Sequence, residues 1–277
     1  MGINQENSLI LEPTDERMVP EISGLSTFWE HVYRYAFACR FVKGKRVLDI
    51  ACGEGYGTVA LQKAGAAHVI GVDISEAVCL HARSKYGLDA RLGRAEQIPL
   101  ADESVDVIVS FETIEHVPDI SRFLDECVRI LVPGGRLIIS TPNKAIYNSV
   151  RGGTQNPYHC SEMTPEEFAS ALSSRFRDAR FYTQHPDSAA WWSVRTLVCE
   201  NTPWEHIRGF RRLRRAAQNS IFPEAIKEPT DEQRRSTPDM IVKVARSRRR
   251  LLNPYVVRPQ RRWYREKSIY IVANAVR

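Results

Sequence analysis

The 277-residue sequence predicts an α/β protein, a doubly wound, seven-stranded, mainly parallel sheet with a basic insertion between its last two strands. Three observations carry that prediction. Val47-Leu48-Asp49-Ile50-Ala51 reads as a buried strand that runs into glycines at 53, 55 and 57, and the helical apolar pattern Val59-Ala60-Leu61 follows. From there to residue 141, strand-like runs alternate with helical patterns, the order of a parallel sheet covered on both faces. Two further strand-like runs, 179–184 and 268–276, are separated by a long polar and basic stretch.

Residues 1 to 24 are polar and mixed and read as an arm, with Glu16-Arg17-Met18-Val19-Pro20 able to fold over a site at the sheet edge. From 27 to 42, Phe28, Val32, Tyr35, Ala36, Cys39 and Val42 recur at helical spacing, and His31 and Tyr35 lie one turn apart on this leading helix. The alternation then predicts helix 56–64, strand 68–73, helix 75–85, strands 89–93 and 105–110, helix 119–131 and strand 135–141. Thr164-Pro165-Glu166-Glu167 is a capping box with proline at the first helical position, so another helix begins there. Region 224–240, rich in Glu, Pro, Asp and Thr, reads as a loop. The expected division is an arm and leading helix (1–45), a ligand-binding domain (46–188 with 268–277) and a basic, partly helical insertion (189–267).

Composition narrows the function classes. Apolar content of 43% and charged content of 26% are those of an ordinary globular protein. No apolar run approaches the ~18 residues of a membrane helix. The first sixteen residues lack a basic segment followed by an apolar one, so no secretory signal is expected. Six scattered cysteines offer no close pair suited to zinc and fit a reducing, cytoplasmic setting; Cys52, inside the glycine loop, reads as a packing residue. Residues 204–267 hold 18 Lys and Arg against 7 Asp and Glu, a net of +11 in a chain whose total is +6. Ile207, Phe210, Leu213, Ala217 and Ile221 fall on one side of a helical pattern there, with Arg208, Arg211, Arg212 and Arg215 on the others. Such a face suits anionic lipid in peripheral membrane contact, a nucleic acid, or solvent.

The glycine loop brings backbone N–H groups close to a ligand with no Cβ in the way, and the helix start favours an anionic ligand group. The dinucleotide fingerprint Gly-x-Gly-x-x-Gly would need glycine at position 58, where Thr58 stands. A second strand, Val69-Ile70-Gly71-Val72-Asp73, ends in an acid placed to accept both hydroxyls of a ribose. The pattern therefore suits an adenosine ligand that is not a dinucleotide.

Residues 46–143 resemble the class I S-adenosylmethionine-dependent methyltransferases. Asp49 with Gly53, Gly55 and Gly57 is similar to their first motif and Asp73 to their ribose-binding acid. Gly93-Arg94-Ala95-Glu96-Gln97-Ile98-Pro99 resembles the segment that lines the adenine, Ser104 to Ser110 the fourth strand, and Leu131-Val132-Pro133-Gly134-Gly135 the turn into the fifth. Arg94 stands where the family commonly has an acid at the adenine amine. The resemblance implies S-adenosyl-L-methionine as cofactor, held by Asp49, Ala51, Gly53, Gly55, Asp73, Ile74, Ala95, Glu96, Glu112 and Tyr35. In the family's simplest members the last two strands form a short antiparallel hairpin, whereas here about 80 residues separate them.

On the acceptor side, Phe111-Glu112-Thr113-Ile114-Glu115-His116 follows the fourth strand. If it turns as a helix, Glu112, Glu115 and His116 share one face. This Glu-x-x-Glu-His resembles a segment of ubiquinone-pathway O-methyltransferases, which implies a metal group of Glu112, Glu115 and His116 for a divalent cation such as magnesium. Many members without a metal carry a similar Glu-His pair to hold the loop under the methionine moiety. The polar loop Asn156-Pro157-Tyr158-His159 supplies His159 as the first candidate base, with Glu115 and His116 as further catalytic candidates. Trp191-Trp192 is a stacking platform or a hydrophobic anchor. The leading helix, with Ser140-Thr141-Pro142-Asn143 and Asn156-Pro157-Tyr158-His159, resembles bacterial members associated with polysaccharide and glycan assembly. The expected reaction is O-methylation of a carbohydrate or sugar-containing intermediate, anionic in keeping with the insertion. A quinone-like or natural-product phenol is the first alternative acceptor, and an RNA-binding or RNA-modifying protein the second reading.

Overall fold

The computed structural model describes residues 17–150, 156–186, 229–246, 258–259 and 268–277. In chain order the elements are α1 (Leu25–Ala38), β1 (Arg46–Ile50), α2 (Tyr56–Lys63), β2 (His68–Asp73), α3 (Glu76–Tyr86), β3 (Asp89–Leu92), β4 (Val105–Ser110), a 3-10 turn (Ile114–His116), α4 (Ile120–Ile130), β5 (Leu131–Pro142), α5 (Lys144–Val150), α6 (Pro165–Ser173) and β6 (Arg177–Pro186). Two helices, α7 (Asp231–Arg235) and α8 (Thr237–Arg246), and strands β7 (Arg258–Pro259) and β8 (Ser268–Val276) complete them.

The sheet runs β3-β2-β1-β4-β5-β8-β6-β7. Five strands are parallel, and β8 enters antiparallel between β5 and β6, with the short β7 antiparallel on the outer edge of β6. The mainly parallel expectation is thus corrected to a mixed sheet, in which the two-residue β7 adds an edge strand to the seven expected. Parallel neighbours need a crossover helix between them, whereas β8 pairs along β5 from Arg136↔Val276 to Pro142↔Tyr270 without one. The order reverses between β1 and β4, so the carboxyl ends of these two strands frame the crevice where α/β proteins take ligands.

Beyond its first residue β1 is buried, as expected of a strand at the centre of a sheet with helices on both faces. On one face Phe28, Val32, Tyr35 and Ala36 of α1 join Ala60 and Leu61 of α2. Met240, Ile241 and Val244 of α8 complete this cluster. On the other, Phe123, Leu124, Cys127 and Ile130 of α4 pack with Phe168 and Leu172 of α6. The capping box at Thr164 is present, Thr164 Oγ1 accepting from the Glu167 amide and the Glu167 carboxylate from the Thr164 amide. The loop expected over 224–240 is corrected from residue 230 onward. Thr230 caps α7 in a second capping box, and α8 buries an apolar stripe that a loop would have left in water. The arm up to Glu16, Trp191-Trp192, the basic helical pattern at 207–221 and the remainder of 187–228, 247–257 and 260–267 lie outside the described residues.

Gly57, in the first turn of α2, faces the ring of Tyr35, and a Cβ there would overlap ring carbons. Gly57→Ala should therefore destabilise the fold by about 1–3 kcal/mol, the usual scale for overpacking a buried contact. A urea melt checks this. Tyr35→Phe would not relieve it, because the clash is with the ring.

Candidate active site

A cavity of about 300 Å³ opens at the carboxyl ends of β1, β2 and β4. The glycine loop forms its floor. Ala51 leaves β1 with φ 57°, and Gly53 and Gly55 continue in the left-handed region at 54° and 99°. At Gly55 a side chain would be strained by φ and would also meet Leu88 Cδ1 at 2.6 Å.

Asp73 ties this floor to the neighbouring strand. Its Oδ2 accepts from the Gly53 amide at 3.0 Å and its Oδ1 from the Ser75 amide at 3.0 Å. An ionised carboxylate offers about four lone-pair directions, so two remain for a ligand diol. Ala51, Gly53, Asp73, Ile74, Ala95, Glu96, Glu112 and Tyr35 all line the cavity, as do Arg17, Met18, His31, Cys52, Tyr56, Phe111, Thr113 and His116.

Two residues expected at the ligand sit elsewhere. Gly55 is behind the floor, and Asp49 is fully buried beneath it. Thr58 Oγ1 donates to Asp49 Oδ2 at 2.6 Å, and the Tyr35 hydroxyl donates to both carboxylate oxygens at 3.1 and 3.3 Å. The Tyr35 hydroxyl is therefore turned away from the ligand, and its ring forms the wall. Burial pushes the Asp49 carboxyl up to about 7, against the pull of those two hydroxyl donors. Burial, with the positive charge of Arg34, holds His31 well below the usual imidazole range. Neutral His31 pairs through Nδ1 with the Tyr56 hydroxyl at 2.7 Å.

The proposed helical face of Glu112, Glu115 and His116 does not form. Glu112 has φ 51°, and the following helical turn is a three-residue 3-10 segment, so helical spacing does not apply. The Glu112 carboxylate instead accepts from Ser140 Oγ at 2.6 Å and pairs with Arg34 of α1 at 3.4 Å. Arg34 also donates to Gln184 Oε1 at 3.1 Å, which links the cavity wall to β6.

His159 takes the place of Glu112. Glu115, His116 and His159 bring their donor atoms within 4.8 Å of one another. The His159 loop is docked on the 3-10 turn, with the Cys160 and Ser161 amides both donating to the Glu115 carbonyl at 2.9 Å and Ser161 Oγ to the Val117 carbonyl at 2.8 Å. His116 Nδ1 lies 3.0 Å from the Tyr158 carbonyl. A carbonyl only accepts, so Nδ1 carries the proton and the neutral ring keeps its lone pair on Nε2. His159 Nδ1 lies 2.9 Å from Glu162 Oε1, and the two imidazoles meet edge to face at 4.8 Å. His116 lines the cavity, whereas His159, only 5% exposed, lies outside its wall. Two imidazoles and one carboxylate are nitrogen-rich donors, and magnesium takes oxygen ligands. The donor set does not fit magnesium.

Sequence reasoning missed Phe111 and Thr113 as wall residues and Glu162 as the partner of His159. The Glu162 pair had a legible signal, since residues three apart on one turn can meet.

Residues 48–139 match the methyltransferase domain family. A probable S-adenosylmethionine-dependent methyltransferase of Mycolicibacterium smegmatis is 39% identical over 167 residues, covering 58% of this chain and 63% of that protein. A ubiquinone biosynthesis O-methyltransferase of Chelativorans is 36% identical, covering 42% of this chain and 47% of its own length. The chain thus spans less than two thirds of these curated relatives. Among solved structures, a Thermotoga maritima S-adenosylmethionine-dependent methyltransferase described as a possible histamine N-methyltransferase superposes with a TM-score of 0.54 at 18% identity, covering 91% of this chain and 94% of that one. An Archaeoglobus fulgidus methyltransferase gives 0.54 at 19% identity over 92% and 95%. The chain has the fold of the S-adenosylmethionine-dependent methyltransferases, and its residues 48–139 match their methyltransferase domain.

Proposed function

We propose that the protein transfers the methyl group of S-adenosylmethionine to a hydroxyl oxygen, with His116 as the base at the acceptor. The observation that carries this reading is a cavity whose floor is the Asp73-tied glycine loop and whose wall includes an imidazole with its lone pair on Nε2. In the reaction the acceptor oxygen forms a bond to the methyl carbon as the carbon–sulfur bond breaks. The electron pair stays on sulfur, giving neutral S-adenosylhomocysteine, and the hydroxyl proton passes to His116 Nε2. The Tyr158 carbonyl holds the ring in that tautomer. The His159–Glu162 pair, at the edge of the same ring, is a positioning element in this scheme, and the base assigned to His159 from sequence moves to His116. Alignment supplies much of the rate of such a displacement.

The acceptor class carried forward is a hydroxyl of a carbohydrate or sugar-containing intermediate, on the sequence resemblance described above. The O-methyltransferase named among the relatives favours a second acceptor, a quinone-like phenol. Label transfer from S-adenosylmethionine to a panel of nucleotide sugars and a panel of catechols separates the two.

Cofactor binding is tested first. S-adenosylhomocysteine at ~100 times its dissociation constant adds about 2.7 kcal/mol to stability, a clear rise in melting temperature. Asp73→Ala removes the ribose acceptor and the tie to Gly53 together, so its affinity should fall by ~10- to 150-fold, the equivalent of 1.5–3 kcal/mol for a charge-assisted bond. A melting temperature raised by NAD and not by S-adenosylhomocysteine would replace this reading with hydride transfer.

A further inference from the structure

The cavity wall includes Arg17 and Met18, which belong to no helix or strand. Met18 and Val19 are buried, and a Cβ built on Gly53 would lie 4.0 Å from Arg17 Cγ, so the Arg17 stem passes over the glycine loop. Residues 17–24 therefore form a strap across the cofactor cavity. Its own bonds close one tight turn, with Val19 N donating to Ser23 Oγ at 2.9 Å and Ser23 N to the Val19 carbonyl at 2.9 Å. A single turn with few internal bonds is held by what it is tied to.

Two cations tie it. Lys85 on α3 reaches Glu21 at 3.0 Å and also pairs with Glu54, the buried acid inside the glycine loop. Arg234, on α7, donates from one guanidinium nitrogen to the Pro20 and Ser23 carbonyls, both at 2.8 Å, and its guanidinium carbon sits 5.4 Å from the centre of the Phe28 ring. Both carbonyls belong to the turn that directly follows Arg17 and Met18. Arg234 comes from the described part of the insertion, and α8 behind it is anchored in the core between α1 and α2.

We infer that Arg234 is a positioning residue for the cofactor: the insertion between β6 and β8 fixes the strap that roofs the cavity, and so sets how tightly S-adenosylmethionine and its product are held. This rests on the cofactor reading above. Arg234 does not line the cavity, so it should act on cofactor affinity through the strap and not on the chemical step. Its guanidinium serves two carbonyls and a ring at once, a combination that lysine reproduces in part.

The test compares wild type, Arg234→Ala, Arg234→Lys and Lys63→Ala. Lys63 pairs with Asp239 of α8 at 2.7 Å on the exposed side of the same helical unit, and it controls for general loosening of that unit. For Arg234→Ala the dissociation constant for S-adenosylhomocysteine should rise by about tenfold, with kcat at saturating cofactor changed less than twofold. Arg234→Lys should recover part of that loss, and Lys63→Ala should bind as wild type does. Hydrogen exchange of the cofactor-free proteins should show amides of residues 19–23 losing protection in Arg234→Ala alone. If Arg234→Ala binds S-adenosylhomocysteine as wild type does, or if Lys63→Ala loses affinity equally, the inference is wrong and the cofactor reading stands. If wild type itself binds no S-adenosylhomocysteine, both fall together.

Discussion

His116→Gln should lower kcat by ~100- to 10,000-fold, the range for removing a general base, while S-adenosylhomocysteine affinity changes little. Glutamine keeps much of the ring's bulk and one donor for the Tyr158 carbonyl, so the loop bearing His159 stays docked through the two amides on the Glu115 carbonyl. His159→Gln should act differently. His159 is outside the cavity wall and braces the edge of His116. Its loss should cost activity by a smaller factor, because the ring it supports would lose its edge contact. Single-turnover rates separate the two roles. Equal and complete losses for both variants would mean that the pair works as one unit. An unaffected single-turnover rate in His116→Gln would remove it as the base.

The contrast between these two histidines shows what sequence spacing carries and what it does not. The glycine loop was legible because its constraint is local: strand residues, glycines that accept left-handed φ, then helix. Asp73 was legible for the same reason, since it closes its own strand and reaches the loop that the sheet order sets beside it. Glu112 was misplaced because it adopts φ 51° without being glycine, asparagine or aspartate, the residues that usually mark such a turn. Arg34 and Ser140 hold its carboxylate in place, contacts that cross from α1 and β5 and that no local pattern announces. The antiparallel side of the sheet was half legible: residues 179–184 and 268–276 read as strands, but spacing cannot say that the later one inserts beside β5. The tie from Arg234 to residues 20 and 23 spans the chain and follows only from how α8 packs.

Asp49→Asn should lose less stability than wild type as pH rises from 5 to 8, and bind its cofactor less well. The folded carboxyl has its pKa raised from 3.8 to about 7 by burial, so folding binds a proton that the unfolded chain releases. The sign follows from linkage. The contribution is least unfavourable below the unfolded value, worsens as pH rises, and reaches its full cost above about 7, roughly 4 kcal/mol for a shift of this size. Asparagine carries no charge at any of these pH values, and whatever hydrogen-bond change it makes with Thr58 and Tyr35 is independent of pH. The stability of the variant relative to wild type should therefore fall between pH 8 and pH 5, by about 2–3 kcal/mol. Urea melts of both proteins at the two pH values measure it; a gap that stays constant would mean that Asp49 titrates in the folded state as it does unfolded. Such a costly acid is retained where its charge has use. Beneath the glycine loop, an ionised Asp49 places negative potential under the floor of a cavity proposed to take a sulfonium cation. Asp49→Asn should then weaken S-adenosylmethionine, which carries that charge, by a larger factor than S-adenosylhomocysteine, which has lost it. An equal loss for both ligands would assign Asp49 to holding Tyr35 and Thr58 in place, and not to the field at the reacting methyl group.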